Sequence, residues 1–190
     1  MNIEDAIKNR RSNYPKQYSG EKVPLEIVEK MMELANWAPT HLKTEPWRFK
    51  VFSNQSKKDL LELCKECYIK ETDAESFKAV KIERFEERKN QVSHIIAICM
   101  KRHQELPEFE EVSSVAMAVQ NMWLYLTSTK KYGGYWSSPK FSRGDHFRQF
   151  LKLDSDEFCL GIFYVGALNN RSDIRTGHRQ NWREKVVYRN

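Results

Sequence analysis

The sequence predicts an α+β fold. Strand and helix signals mix without a regular βαβ repeat, which argues against a doubly wound sheet. Two largely apolar, strand-length runs, Val92 to Met100 and Phe158 to Leu168, have the character of strands buried on both faces. Between them lies the longest helical segment, Glu111 to Lys131.

The elements follow in chain order. Ile3 to Asn9 reads as a short helix with acidic residues in its first turn, where the macrodipole favours them. Pro24 opens a second helix at the position proline tolerates best. Leu25, Val28, Met31/Met32 and Ala35 give it one apolar face, and Pro39 ends it. Trp47 to Ser53 alternates Trp47, Phe49 and Val51 with Arg48 and Lys50, as a strand does. Ser56 is a candidate cap for a helix through Tyr68, with Leu60, Leu63, Cys64 and Cys67 on one side. Ala74 to Asn90 is highly charged and reads as a helix or lid anchored by Phe77, Val80 and Phe85. In Glu111 to Lys131, Val115, Ala118/Val119, Met122, Leu126 and Thr129 mark one face, and Ala116, Met117, Trp123 and Leu124 carry apolar surface almost around the helix. Such a helix is buried in a core or against a partner. Tyr132-Gly133-Gly134 is expected to stop it with a glycine cap. An extended stretch or loop, Tyr135 to Ser138, and a short helix, His146 to Leu151, precede the last strand.

At 190 residues the chain fits one domain, residues 1–190, with a basic arm at 171–190. Forty per cent of residues are apolar and spread along the chain, which excludes wholesale disorder. No apolar stretch approaches the ~18 residues of a membrane helix, and Met1 to Asp5 lacks the apolar core of a secretory signal. Four cysteines without an export signal point to reduced thiols in the cytoplasm. The net charge is +6, of which residues 171–190 supply +4 (six Arg/Lys against two Asp/Glu). That arm suits an anionic ligand or a solvated surface; a nucleic acid is the less favoured reading.

Three constellations carry candidate chemistry. Arg10, Arg11 and Ser12 end the first helix. Two bidentate cations and a short hydroxyl suit a phosphate or a carbonyl-rich ring edge, or they only offset the helix dipole. The segment from Trp37 to Phe49 sets Thr40, His41, Lys43 and Thr44 between Pro39 and Pro46, as a ligand loop or as a turn with Trp47 in the core. Gly133-Gly134-Tyr135-Trp136-Ser137-Ser138 would let a ligand approach the backbone closely, or only turn the chain. It is neither a Walker loop nor the three-glycine dinucleotide pattern.

In this order the three segments resemble the nitroreductase-like FMN-dependent oxidoreductases, in particular the short single-domain members, from about residue 3 to about residue 168. Arg10-Arg11-Ser12 looks like the family's flavin-binding triplet. Ala38-Pro39 with Glu45-Pro46-Trp47-Arg48-Phe49 looks like its Ala-Pro and Gln-Pro-Trp-x-Phe loop. Gly133-Gly134-Tyr135-Trp136 looks like the segment that follows its interface helix. The resemblance implies the nitroreductase-like fold, a central, mainly antiparallel sheet flanked by helices, in a homodimer with FMN in the interface. It further implies that NAD(P)H and then an electron-poor acceptor, such as a nitroaromatic or quinone, use one open pocket in a ping-pong cycle. Carried onto this chain, Arg10 and Ser12 hold the flavin phosphate and Arg11 sets a positive charge beside the ring. Trp37, Pro39, Thr40 and His41 approach from the partner-side loop, and Trp136, Ser137 and Ser138 pack against phosphate or ring. No catalytic acid is assigned, because solvent can supply protons. Glu45 in place of Gln, and Ser137-Ser138-Pro139 in place of a glycine-rich run, depart from the pattern and motivate an alternative, a flavin-binding module or sensor with little turnover.

Other signals read as structural. Cys64-Lys65-Glu66-Cys67 sits mid-helix, without the second ligand pair a zinc site needs. Cys99 and Cys159 fall in core strands, and His94 and His103 flank one. His146 with Arg143 and Arg148 is a weaker anion candidate. Arg171, Arg175, Arg179 and Arg183 recur every four residues, but Gly177 interrupts that stripe, and Trp182, Val186, Val187 and Tyr188 suggest an arm embracing a dimer partner.

Overall fold

The structure is a computed structural model that describes residues 1–169 and 177–189. Its elements are α1 (Ile3–Asn9), α2 (Leu25–Ala35), β1 (Trp47–Ser53), α3 (Asn54–Glu71), α4 (Val80–Gln91), β2 (His94–Lys101), α5 (Glu108–Thr129), β3 (Tyr132–Ser137), α6 (Asp145–Phe150) and β4 (Glu157–Ala167). The strands form one sheet in the order β1-β2-β4-β3, and every pairing is antiparallel. This is the expected α+β architecture.

The burial of β2 explains its sequence. From His94 to Met100 every residue is buried, because helices cover both faces of the sheet. Strand side chains alternate between faces. Ile96 and Ile98 therefore meet α2 and α5 through Met31, Val115, Met122 and Leu126. Ile95, Ala97 and Cys99 meet α3, α4 and α6 through Leu60, Cys64, Phe85 and Phe147. Beside β2, strand β4 carries an irregularity: Ile98 pairs with Gly161 but Cys99 with Cys159. Gly161 has φ +144°, a backbone conformation that side chains rarely adopt.

Several boundaries differ from those expected. Helix α3 begins at Asn54 and runs to Glu71. Ser53, not Ser56, is its cap residue; Ser56 supports it from the first turn, its Oγ accepting from Ser53 N at 3.0 Å. The lid segment is helical only from Val80. Helix α5 starts earlier, after Pro107, with Glu108, Glu110 and Glu111 in its first turn. It ends before the glycines, because Lys130 itself takes the left-handed cap at φ 59°. Gly133 and Gly134 belong to strand β3 instead, so the segment read as a loop or extended stretch is a strand through Ser137.

Two buried polar groups fasten these layers. His94 Nε2 donates to Val23 O (2.8 Å), so its Nδ1 accepts from Ser53 Oγ (2.6 Å). Burial lowers the pKa of this imidazole. Glu111 is fully buried and binds His103 through Nδ1 (2.6 Å) and backbone N (3.1 Å), and also Arg102. Burial pushes its carboxyl up, but the bonds from His103 and Arg102 outweigh that and hold it below the usual carboxylate range. The loop after β2 is thereby locked onto the first turn of α5. Among the described residues, no helix is long and apolar enough to cross a membrane.

Candidate functional site

Helix α1 is capped by Asn2, whose side chain accepts from Asp5 N at 2.8 Å. After Asn9 the chain turns extended and runs beside β3, where Asn13 N donates to Gly134 O at 3.0 Å. Glycine is needed opposite: a Cβ at 133 would lie 2.8 Å from the Asn13 side chain. Helix α5 fixes the arginine pair from the other side. Trp123 Nε1 donates to Arg11 O at 3.0 Å, and the Arg10 guanidinium carbon lies 4.5 Å from the Trp123 ring centroid. Trp123 itself rests edge-on against Phe163 at 5.2 Å.

Arg10 is half-buried, and its pKa is lowered by burial and by the nearby charges of Arg11 and Arg179. Arg11 Nη1 donates to the carbonyls of Lys8 and Arg10, both at 2.7 Å. This is the dipole-offsetting role weighed for it, and it also orients the guanidinium. Gly177 lies directly against that group, since a Cβ there would come within 2.2 Å of Arg11 Nη2. Ser12 is exposed and makes no hydrogen bond to the described residues. Arg10, Arg11 and Arg179 are gathered beside the Ser12 hydroxyl, and guanidiniums with a short hydroxyl offer forked, permanently charged donors. The donor set therefore fits a phosphate.

One strand pleat further along, Trp136 and Ser137 are half-buried and Ser138 is exposed. Trp136 Nε1 is a buried donor without an acceptor among the described residues. Such a group costs about 1–3 kcal/mol unless something accepts its hydrogen. The segment presses on β4 at Gly161, where a Cβ would lie 2.5 Å from Ser137 O. Ser137 and Ser138 also wall a cavity of about 670 Å³ covered by α4.

The structure does not bring the second constellation to this place within one chain. Trp37 is 80% exposed, and Pro39 and His41 are exposed too. Thr40 Oγ1 is 3.0 Å from Thr44 Oγ1 and accepts from Glu45 N at 3.2 Å. Leu42, Lys43 and Glu45 all take positive φ (48°, 56° and 43°), a strained arrangement of the kind found where a loop must hold a shape. His41 Nε2 lies 3.7 Å from Glu110 Oε2. Glu110 and Trp123 are thirteen residues apart on α5, or about 20 Å at 1.5 Å per residue. Arg10, Arg11 and Ser12 thus lie along the edge that leads to Trp136, Ser137 and Ser138, whereas His41, with Pro39 and Thr40 in the same loop, stands at the far end of α5; Trp37 lies between, lining a surface cavity with Ala6, Leu124 and Tyr125. Trp47 takes its structural role, buried with Nε1 on Asn36 Oδ1 at 3.1 Å.

The remaining signals settle as structural. Cys64, Cys67, Cys99 and Cys159 are free and buried, and burial pushes the Cys64 thiol far up. His146 Nε2 lies 3.1 Å from Lys70 Nζ. Among the described residues no group of three or more His, Cys, Asp or Glu could hold a metal. Arg171 and Arg175 lie outside the described residues. Residues 177–181 are not helical, so no basic helical stripe runs from Arg179 to Arg183; Arg183 stacks on Trp182 at 4.7 Å. Trp123, which holds the arginine pair, is not marked out by sequence, where it belongs to the apolar surface of α5.

A model of the Nitroreductase family matches residues 7–167. The chain belongs to the nitroreductase family. Only residues 1–6 and 168–190 fall outside the match, and every candidate site residue falls within it. A curated relative, "Putative NAD(P)H nitroreductase YfhC" of Bacillus subtilis, is 24% identical over 174 residues, covering 91% of this chain and 88% of that protein. Among solved structures, a nitroreductase-like family protein from Bacillus cereus superposes with a TM-score of 0.83 at 20% identity, over 99% of this chain and 96% of that one. The FMN-dependent nitroreductase NfnB from Mycobacterium smegmatis, solved in complex with NADPH, gives 0.76 at 17% identity, over 98% and 97%. The nitroreductase fold expected from the three motifs is the fold observed.

Proposed function

We propose that the chain is a cytoplasmic, homodimeric NAD(P)H-dependent oxidoreductase that carries FMN and reduces quinones, nitroaromatics or related electron-poor acceptors by a ping-pong mechanism. One observation carries this reading: Trp123 pins the Arg10–Ser12 segment along the Gly133–Gly134 edge of the sheet, so an anion site and an open backbone edge lie side by side. When bound, FMN supplies the two-electron chemistry, accepting a hydride equivalent from NAD(P)H and passing it to the acceptor. Arg10 and Ser12 hold its phosphate, with Arg179 the arm residue whose charge is felt there. Arg11, oriented by the Lys8 and Arg10 carbonyls, keeps a fixed positive charge at the ring's carbonyl edge. Trp136, Ser137 and Ser138 supply donors beside the ring, the Trp136 indole being the one still in need of an acceptor.

The distance from the 38–46 loop to Arg10 supports a dimer. His41, with Pro39 and Thr40 in its loop, is too far from Arg10 in its own chain but is free to reach the site of a second copy, and the exposed Trp37 ring offers surface to that copy. Exposed apolar groups along α1, α2 and α5, among them Ile3, Ile7, Trp37 and Met117, give such an interface its surface. The test is steady-state oxidation of NADH and NADPH by the FMN-loaded protein with a quinone and with a nitroaromatic. Turnover with parallel double-reciprocal lines is expected. Stoichiometric FMN binding without turnover would overturn the enzymatic reading in favour of a flavin-binding module.

A further inference from the structure

Two buried polar side-chain atoms have no hydrogen-bond partner among the described residues, Trp136 Nε1 and Glu110 Oε2. The first lies in the segment already placed beside the flavin. The second lies towards the other end of α5, in the first turn of the helix. A carboxylate there is favoured by the helix dipole whichever way it points. The dipole accounts for Glu108, which is exposed. It does not account for a carboxylate oxygen closed off from water, which is costly unless a donor reaches it.

The described residues bring one ion-pairing group to that oxygen. His41 Nε2 stands 3.7 Å from Glu110 Oε2, beyond a hydrogen bond but close enough for a small turn of either side chain to make one. The backbone of His41 is fixed separately. Thr44 donates to its carbonyl through both N and Oγ1, each at 3.2 Å. Leu42 and Lys43 follow at positive φ with their side chains exposed, and a turn strained in this way persists only where its surroundings determine it. The imidazole is half exposed and makes no hydrogen bond among the described residues. Glu110 is therefore the group that can orient it.

We propose that Glu110 is a positioning residue whose carboxylate holds the His41 imidazole in the orientation that serves the flavin site of a second copy. This role rests on the reading that His41 reaches that site. A carboxylate only accepts, so it fixes Nε2 as the protonated nitrogen and leaves Nδ1, on the other edge of the ring, for the second copy. Both side chains are partly exposed, so the pair adds little to stability. Its effect is to order one side chain before the ligand arrives.

Fluorescence titration of the apoprotein with FMN, in a double-mutant cycle, tests this. Glu110→Ala weakens FMN binding about two- to tenfold, as expected when one side chain must be ordered on binding. Glu110→Gln, whose amide oxygen still accepts, recovers part of that loss. His41→Ala weakens binding too, and adding Glu110→Ala to it costs nothing further, which a merely structural role for the carboxylate would not produce. The melting temperature of each variant stays with the parent. If His41→Ala weakens binding but Glu110→Ala does not, or if the two losses add in the double variant, the proposal is overturned and the reading of His41 stands. Unchanged affinity in His41→Ala overturns both. Should the protein bind no FMN, tryptic cleavage after Lys43 separates the two ideas. Faster cleavage in Glu110→Ala than in the parent keeps Glu110 as the residue that positions His41 and removes the flavin reading alone, whereas equal cleavage removes both.

Discussion

Replacing Gly161 by alanine is the sharpest probe of how the fold shapes the flavin edge. The new Cβ would lie 2.5 Å from Ser137 O, 2.6 Å from Trp136 Nε1 and 2.9 Å from Ser138 Oγ, where ordinary contact begins at 3.4 Å. The Ser137 carbonyl must therefore retreat by about 0.9 Å, the difference between 3.4 and 2.5 Å, or β4 must bend away. A carbonyl in a strand has little room, since Ser137 is paired with Ile162. Backbone strain at φ +144° adds to the overlap, each costing about 1–3 kcal/mol. A loss of about 4 kcal/mol lowers the melting temperature of a chain this size by roughly 8–16 °C. FMN affinity, followed by fluorescence quenching at a temperature where the variant is folded, weakens as well, because Trp136 to Ser138 are displaced. Gly166→Ala is the control: its Cβ would strike Tyr18 at 2.3 Å, so it destabilises by overpacking but leaves the affinity of the folded fraction intact. A Gly161→Ala protein that melts with the parent and binds FMN equally well would refute the argument.

Three further outcomes follow from the same geometry. Glu111→Gln removes the anion that Arg102 and His103 share and destabilises by about 3 kcal/mol in urea melts. Because the Glu111 pKa is lowered in the folded state, its contribution is complete above the ordinary value of 4.5 and is lost as pH falls through the lowered folded value, so parent and variant converge in acid. None of the four cysteines of the native protein reacts with Ellman's reagent on the timescale that exposes all four in denaturant, since each is buried. Trp123→Phe keeps the ring against Phe163 but deletes the donor to Arg11 O, costing about 1 kcal/mol of stability and weakening FMN binding in a fluorescence titration.

The sheet was legible because its physics is local. Val92 to Met100 and Phe158 to Leu168 are apolar at nearly every position, as only strands covered on both faces need be, and the structure places β2 and β4 at the centre. The end of α5 was misread because Gly133 and Gly134 are glycines for a tertiary reason. Asn13 and Phe163 crowd them, a contact that no local pattern encodes, and Lys130 accepted the left-handed cap in their place. The segments were legible as motifs, but their separation was not: it depends on the length of α5 between Glu110 and Trp123 and on the course of the 38–46 loop.

Whether the chain carries FMN is read from the absorption spectrum of freshly purified protein, repeated after denaturation with the released compound identified by mass. Flavin bands and the mass of FMN are expected, both lost or sharply reduced in an Arg10→Ala/Arg11→Ala double variant that remains folded. A colourless protein that also fails to quench the fluorescence of added FMN would contradict the assignment.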